Sequence, residues 1–366
     1  MKPKPFARCF FAAALSFISS MSAAAESANA ARVMPANARE IGYEGRTVDG
    51  PNGAVRMGFP GVTVHLRFRG AGISLRADAP KVGADFDVSL DGAAPTLLEL
   101  KQGERIYPLV EQAAAGEHTL TLTRRTESWQ GVCTLVDFEL GPGAALLSGP
   151  ELPARKLMFI GDSVTCGEYA AWKPGDPVDN LPIFTNARIS YGMVLARRLG
   201  AQCELVSYGG RGVIRDWQGI RKTNNAPEFY ELAMPDEPAA RWDHHRYVPD
   251  AIGIQLGTND FGSGVPEETE FVTAYVEFLR KIRRDAPKAW IVIMDSPILN
   301  DDAGGPRHSL LHAYVEEVAR TVRDERVVVA SIRHYPGVPH NGHPTGAEHQ
   351  AMADELEPVF RRVLGW

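Results

Sequence analysis

Apolar and polar residues follow two different rhythms in this chain, and the change falls near residue 150. Up to Leu140 the repeat is two. Val62, Val64, Leu66 and Phe68 alternate with Thr63, His65, Arg67 and Arg69, which turns one face of an extended strand inward. Ile73/Leu75, Phe86/Val88/Leu90, Leu120/Leu122 and Val132–Leu140 continue the pattern. Gly70-Ala71-Gly72, Asp91-Gly92, Gly103 and Ala115-Gly116 separate these runs, and Asp91-Gly92 predicts a tight hairpin. Short strands with no helical stretch over about 100 residues predict an antiparallel β-sandwich. His65 and His118 fall on polar faces and read as solvated.

Gly141-Pro142-Gly143, Gly149-Pro150 and Pro153 then break the chain. Beyond them, nearly continuous apolar strands alternate with amphipathic helices. The strand runs are Leu157–Ile160, Glu204–Tyr208, Ala251–Leu256, Trp290–Met294 and Val327–Ile332, as expected of a parallel sheet covered on both faces. Tyr191, Val194, Leu195 and Leu199 share one helical face, with Gly200 as the stop. Phe271, Tyr275, Phe278, Leu279 and Ile282 form a second stripe, acidic at its start and basic at its end, a polarity that suits the helix dipole. Leu311, Val315, Val318 and Val322 form a third, and Thr345 to Glu348 reads as a capping box. The fold class is therefore α/β, a doubly wound parallel sheet preceded by the sandwich. The predicted division is a sandwich over 39–145, a linker over 146–154 and the α/β domain over 155–366.

Ligands of such sheets lie at the carboxyl ends of the strands, and four motifs fall at that rim. Lys156–Ile160 delivers Gly161-Asp162-Ser163, a hydroxyl among small and polar neighbours. A serine there is also a good helix cap, so the motif is ambiguous by itself. The second strand runs into Tyr208-Gly209-Gly210-Arg211-Gly212, the third into Gly257-Thr258-Asn259-Asp260, and His340-Asn341-Gly342-His343-Pro344 precedes the last helix. A serine nucleophile needs a base and a set of donors aimed at the oxygen that becomes negative. His343 is the expected base. The backbone N–H of Ser163, a glycine N–H at Gly210 or its neighbour Gly209, and the amide of Asn259 are the expected oxyanion donors. Asp162 reads as structural, since strand alternation turns it away from Ser163. Asn259 and Asp260 could also do no more than shape a turn.

The four ordered blocks resemble those of the SGNH (GDSL-like) hydrolases, over roughly residues 155–366. That resemblance implies a flavodoxin-like three-layer catalytic domain with Ser163 as nucleophile, His343 as base and Gly210 and Asn259 as donors. The leading sandwich, the Ser163-Val164-Thr165-Cys166-Gly167 run and the Gly209–Val213 run are similar, more narrowly, to carbohydrate esterase family two. This implies a jelly-roll-like sandwich and deacetylation of plant polysaccharides such as xylan and glucomannan, without a cofactor. One position departs from the SGNH pattern. The aspartate usual three residues before the histidine is His340 here. A Ser163–His343 dyad is expected, with His343 held by a backbone carbonyl or another acceptor. Of Trp172, Trp217 and Trp242, all expected to border the rim, Trp217 follows the glycine motif most closely and is the favoured sugar platform.

Composition adds limits. Lys2, Lys4 and Arg8 precede an apolar run from Cys9 to Ile18, and Ala23-Ala24-Ala25 offers a cleavage point, so residues 1–25 read as a secretory signal and 26–38 as a loose leader. A secreted or periplasmic location follows, with no membrane contact after cleavage. Removing the signal takes the formal net charge from −6 to −9, and no basic run remains to hold a nucleic-acid backbone. Cys133, Cys166 and Cys203 survive; Cys166 and Cys203 could bridge or stay as buried thiols. His308 and His312, four apart on a helix, raise a metal hydrolase as a rival, but the His-Glu-x-x-His pattern is absent and no metal is expected. Two more rivals are a non-catalytic sugar-binding protein and an esterase for a different acyl ester or thioester.

Overall fold

The computed structural model describes residue 1 and residues 32–366, apart from 180, 303 and 304. The predicted signal, beyond Met1, and the start of the leader lie outside the described residues. From Arg32 onward the leader is no loose segment: Arg32–Pro35 is a strand paired antiparallel with Cys133–Leu140. The expected linker is corrected at its start as well, because Ala145–Leu147 pairs with Thr63–Arg69.

Two antiparallel sheets face each other. One runs Val48–Asp49, Val55–Met57, Cys133–Leu140, Ile73–Ala79, Gly103–Val110. The other runs Ala145–Leu147, Thr63–Arg69, Glu117–Arg124, Ala84–Leu90, Thr96–Leu100, with Gly42–Glu44 also on Thr63–Arg69. Their inner faces carry the predicted residues: Val62, Val64, Leu66, Phe68, Leu75, Phe86, Leu120 and Leu122 are buried in one cluster. Asp91 and Gly92 both have positive φ, 51° and 74°, which is the turn whose twist matches a hairpin's strands. His118 departs from the expectation of a solvated ring. It is buried, bonded by Nδ1 to Asp91 at 2.7 Å and by Nε2 to the Ala114 carbonyl at 2.8 Å.

The α/β part holds a five-stranded parallel sheet in the order Gln202–Ser207, Lys156–Gly161, Ala251–Gln255, Trp290–Met294, Val327–Ala330. In chain order this is 2-1-3-4-5, a doubly wound topology that reverses direction beside Lys156–Gly161. Tyr191–Arg198 and Gly346–Leu364 pack on one face. Glu268–Asp285 and Arg307–Val322 pack on the other. Gly200 ends the first of these helices with φ +62°, and Thr345 and Glu348 cap the last reciprocally. The strand that delivers Ser163 thus lies at the switch point, where the loops after neighbouring strands part and leave a crevice.

Candidate active site

Asp162 has extended backbone and accepts the Val164 N–H at 3.0 Å, which starts the short helix Ser163–Cys166 directly off the strand. Burial pushes the Asp162 carboxyl up to about 7, against the opposing pull of that N–H. The turn leaves Ser163 facing the crevice, where its Oγ lies 2.7 Å from His343 Nε2. These two residues are 180 positions apart in the chain and meet through sheet topology alone.

His343 is held by Asn341, not by a backbone carbonyl. Asn341 Oδ1 accepts from both the His343 backbone N–H, at 3.2 Å, and the ring Nδ1. An Nδ1–H pointing at that oxygen leaves Nε2 as the acceptor for the Ser163 hydroxyl. Tyr169 lies against the ring, centroids 6.1 Å apart. His340 is exposed in a left-handed conformation, φ +64°. Asn341 was missed in the sequence because an Asn two residues before a His has no distinctive spacing.

Ser163 and Asn259, two of the three expected oxyanion donors, line the same crevice. Ser163 N–H and Gly210 N–H have no protein acceptor among the described residues. Gly209 N–H, by contrast, is taken by Glu127 Oε2 at 3.1 Å, so of the two glycines Gly210 is the free donor. Gly210 has φ +76°, and a Cβ there would also sit 2.8 Å from Trp217 Cδ1. Asn259 Nδ2 donates to the Arg211 carbonyl at 2.9 Å and lies 3.4 Å from Asp162 Oδ2, a distance loose enough for that proton to turn toward a substrate. Asp260 holds the glycine loop in place, accepting the Val213 N–H at 2.9 Å and the Ile214 N–H at 2.8 Å. Burial raises its carboxyl to about 6, opposed by these N–H groups.

A cavity of about 320 Å³ opens at Ser163, Asn259 and His343, and Ile298, Asn300 and Arg307 also line it. Trp217 is 62% exposed beside the Gly210 turn, as a platform would be. Trp242 is buried against Arg46 and Arg246 and faces no rim; it is a packing residue. Trp172 is half-buried and donates to the Asp176 carbonyl at 3.1 Å. Cys133, Cys166 and Cys203 are free and buried, and Cys166 donates to Ser207 Oγ at 3.2 Å. His308 and His312 are separately engaged, one with the Ile332 carbonyl, the other with Asp295 and Glu316.

Both parts of the chain are similar to known proteins. Residues 43–150 match the Carbohydrate esterase 2 N-terminal family, and residues 159–355 match the GDSL-like Lipase/Acylhydrolase family. An acetylxylan esterase/glucomannan deacetylase of Cellvibrio japonicus is 36% identical over 323 residues, 88% of each chain. The structure of a family two carbohydrate esterase from Cellvibrio japonicus superposes with a TM-score of 0.87 at 35% identity, covering 92% of this chain and 99% of that one. A family two carbohydrate esterase from Clostridium thermocellum, solved with cellohexaose, gives 0.83 at 29% identity, covering 89% and 99%.

Proposed function

The chain belongs to carbohydrate esterase family two, a family of carboxylic ester hydrolases, and on that premise we propose that it is an exported serine esterase removing O-acetyl groups from plant polysaccharides through an acyl-enzyme on a Ser163–His343 dyad. The observation that carries the reading is the 2.7 Å contact between Ser163 Oγ and His343 Nε2. The hydroxyl proton passes to Nε2 as Oγ bonds to the acetyl carbonyl carbon. The carbonyl oxygen becomes negative and is met by the N–H groups of Ser163 and Gly210 and by the Asn259 amide. On collapse, the bond from that carbon to the sugar oxygen breaks, and His343 returns the proton to the sugar. Water then repeats the sequence on the acetyl-serine, releasing acetic acid and restoring the hydroxyl.

Asn341 does part of the work of the missing aspartate, by fixing the tautomer. Polysaccharide as substrate is supported by the family's relatives and by Trp217, whose exposed ring offers a sugar a face to stack on. Export is supported by the amino-terminal basic and apolar pattern.

The test is acetate release from acetylated xylan and acetylated glucomannan, with products located by NMR. Wild-type protein releases acetate and Ser163→Ala does not. Polysaccharide binding without release points to a sugar-binding protein. Hydrolysis of 4-nitrophenyl acetate alone points to another acyl ester.

A further inference from the structure

Two buried carboxyl groups beside the dyad and the glycine loop are not used by the reaction above. Glu168 follows the nucleophile helix, and its Oε2 lies 3.6 Å from His343 Nε2. Glu127 comes from the sandwich, at the N-cap of the turn Ser128–Gln130 that abuts the end of the second parallel strand. It is fully buried. Its Oε2 accepts the Gly209 N–H, while Oε1 has no donor among the described residues. The Glu168 carboxyl and the Cys166 thiol both lie within hydrogen-bonding reach of the Glu127 carboxyl.

Two carboxyls in contact cannot both be ionised in a buried setting, because neither can donate a proton to the other and like charges repel. One must carry a proton. Glu127 is the more enclosed of the two. Burial, then the Glu168 charge, pushes its carboxyl well above the usual range, and the Gly209 N–H opposes this only in part. The other titratable groups facing the pair are Cys166, whose thiol burial also pushes well up, Asp162, and the Tyr169 phenol, raised by burial and then by Glu168. None of them supplies a positive charge.

We propose that Glu127 and Glu168 share one proton, held on Glu127, so that Glu168 stands as a single negative charge beside His343 and steadies the imidazolium formed during catalysis. Glu168 is a positioning residue that acts through its charge, since 3.6 Å is beyond a hydrogen bond. Glu127 is a second one, delivered by the sandwich, that keeps the charge on the right carboxyl and pins Gly209. The charge that an aspartate would supply at Nδ1 arrives here from the Nε2 side. The inference rests on the dyad reading for its catalytic meaning, but its electrostatic content does not.

Two comparisons test it. The first is an NMR titration of the His343 Cε1–H in the Ser163→Ala background, assigned by its loss in His343→Asn. Adding Glu168→Gln lowers the midpoint by about one pH unit, because a carboxylate within a few ångströms favours the charged imidazole. Adding Glu127→Gln leaves the midpoint in place. Glutamine reproduces a protonated glutamate, offering N–H to Glu168 and a carbonyl oxygen to Gly209. The second comparison is kcat/KM on 4-nitrophenyl acetate. Glu127→Gln stays within about threefold of wild type, whereas Glu127→Ala and Glu168→Gln lose about tenfold or more, the order expected of a lost charged contact. An unmoved midpoint in Glu168→Gln overturns the proposal. So does a folded Glu127→Gln that loses at least tenfold, and that variant decides the matter if Glu127→Ala does not fold. The titration needs no turnover, so it still reports if the chain proves not to be an esterase.

Discussion

Replacing Asn341 probes the dyad most directly. Asn341 Oδ1 accepts from the ring Nδ1–H and the backbone N–H of His343, so one side chain sets both the tautomer and the ring plane. While the ring is neutral, that hydrogen bond is worth about 1 kcal/mol. When the ring takes the Ser163 proton, the same bond becomes charge-assisted and is worth about 1.5–3 kcal/mol. The gain appears only as charge develops, so its loss falls on kcat more than on KM. Asn341→Ala is expected to lower kcat about 2- to 30-fold on 4-nitrophenyl acetate, the rate equivalent of the about 0.5–2 kcal/mol difference between the two bonds. Asn341→Asp keeps the acceptor and adds a charge. The base must be neutral to act, so the acid limb of kcat/KM follows the imidazole, and a carboxylate at Nδ1 moves that limb up by about one pH unit or more. The variant is then slower than wild type at low pH and comparable on the alkaline plateau. An Asn341→Ala enzyme within about twofold of wild type, or an Asn341→Asp limb that stays put, would refute the argument.

Trp217→Ala should raise KM for the polysaccharide about 5- to 10-fold, from the loss of about 1 kcal/mol or more of ring stacking, and leave 4-nitrophenyl acetate turnover alone. His340→Asp should change the rate by less than about threefold, since His340 is exposed and Asn341 already holds the base; aspartate also tolerates the left-handed backbone. His349 is fully buried, and desolvation depresses its ring to about 3. Above the unfolded value of about 6.5 both states are neutral and the residue costs nothing. As pH falls below that value only the unfolded chain takes the proton, so stability is lost progressively down to about 3. His349→Asn should flatten the acid side of a urea-midpoint against pH curve over that window. Arg46→Ala should cost about 3–5 kcal/mol by leaving Glu204 as an unpaired buried charge, read as a drop in Tm.

The elements legible in the sequence were those with one buried face. The strand bearing Val62 to Phe68 and the helix bearing Phe271 to Ile282 could be read because burial imposes a period of two or of about 3.6. Thr96–Leu100 and Gly103–Val110 escaped because they are mostly exposed, so no alternation marks them. Arg32–Pro35 escaped for the same reason: it is held by backbone pairing to Cys133–Leu140 and not by its side chains. At the site, residues on the ordered motifs were legible because four blocks, each ambiguous by itself, fall in order at the same rim of the sheet. Asn341, Glu168 and Glu127 were not, since their roles come from what the fold sets beside them. His118 shows the reverse error. Its position on a polar face is real, but the Asp91 turn and the Ala114 carbonyl enclose it.

The side on which the sandwich docks follows from an exposed edge. Gln202–Ser207 is an outer strand of the parallel sheet, and every residue in it is buried. The unpaired side of such a strand carries free N–H and C=O groups, and each costs about 1–3 kcal/mol if enclosed without a partner. The sandwich supplies partners at both ends. Glu44 accepts the Cys203 N–H at 3.1 Å, and the Ser128 hydroxyl donates to the Ser207 carbonyl at 2.6 Å. Between them Arg46 reaches into the α/β core, paired to Glu204 at 2.9 Å and to the Tyr230 and Leu232 carbonyls, with Trp242, Phe59 and Tyr230 rings around its guanidinium. So buried an ion pair gains little against its own desolvation, but removing either half is expensive. It therefore acts as a register pin, holding one relative placement of the two domains. That placement is the one in which Glu127, the residue before Ser128, meets Gly209. The contact that completes the edge of the sheet and the contact that brings a carboxyl to the oxyanion loop are made by neighbouring residues of one turn, so the hydrolase strand cannot keep the first without acquiring the second.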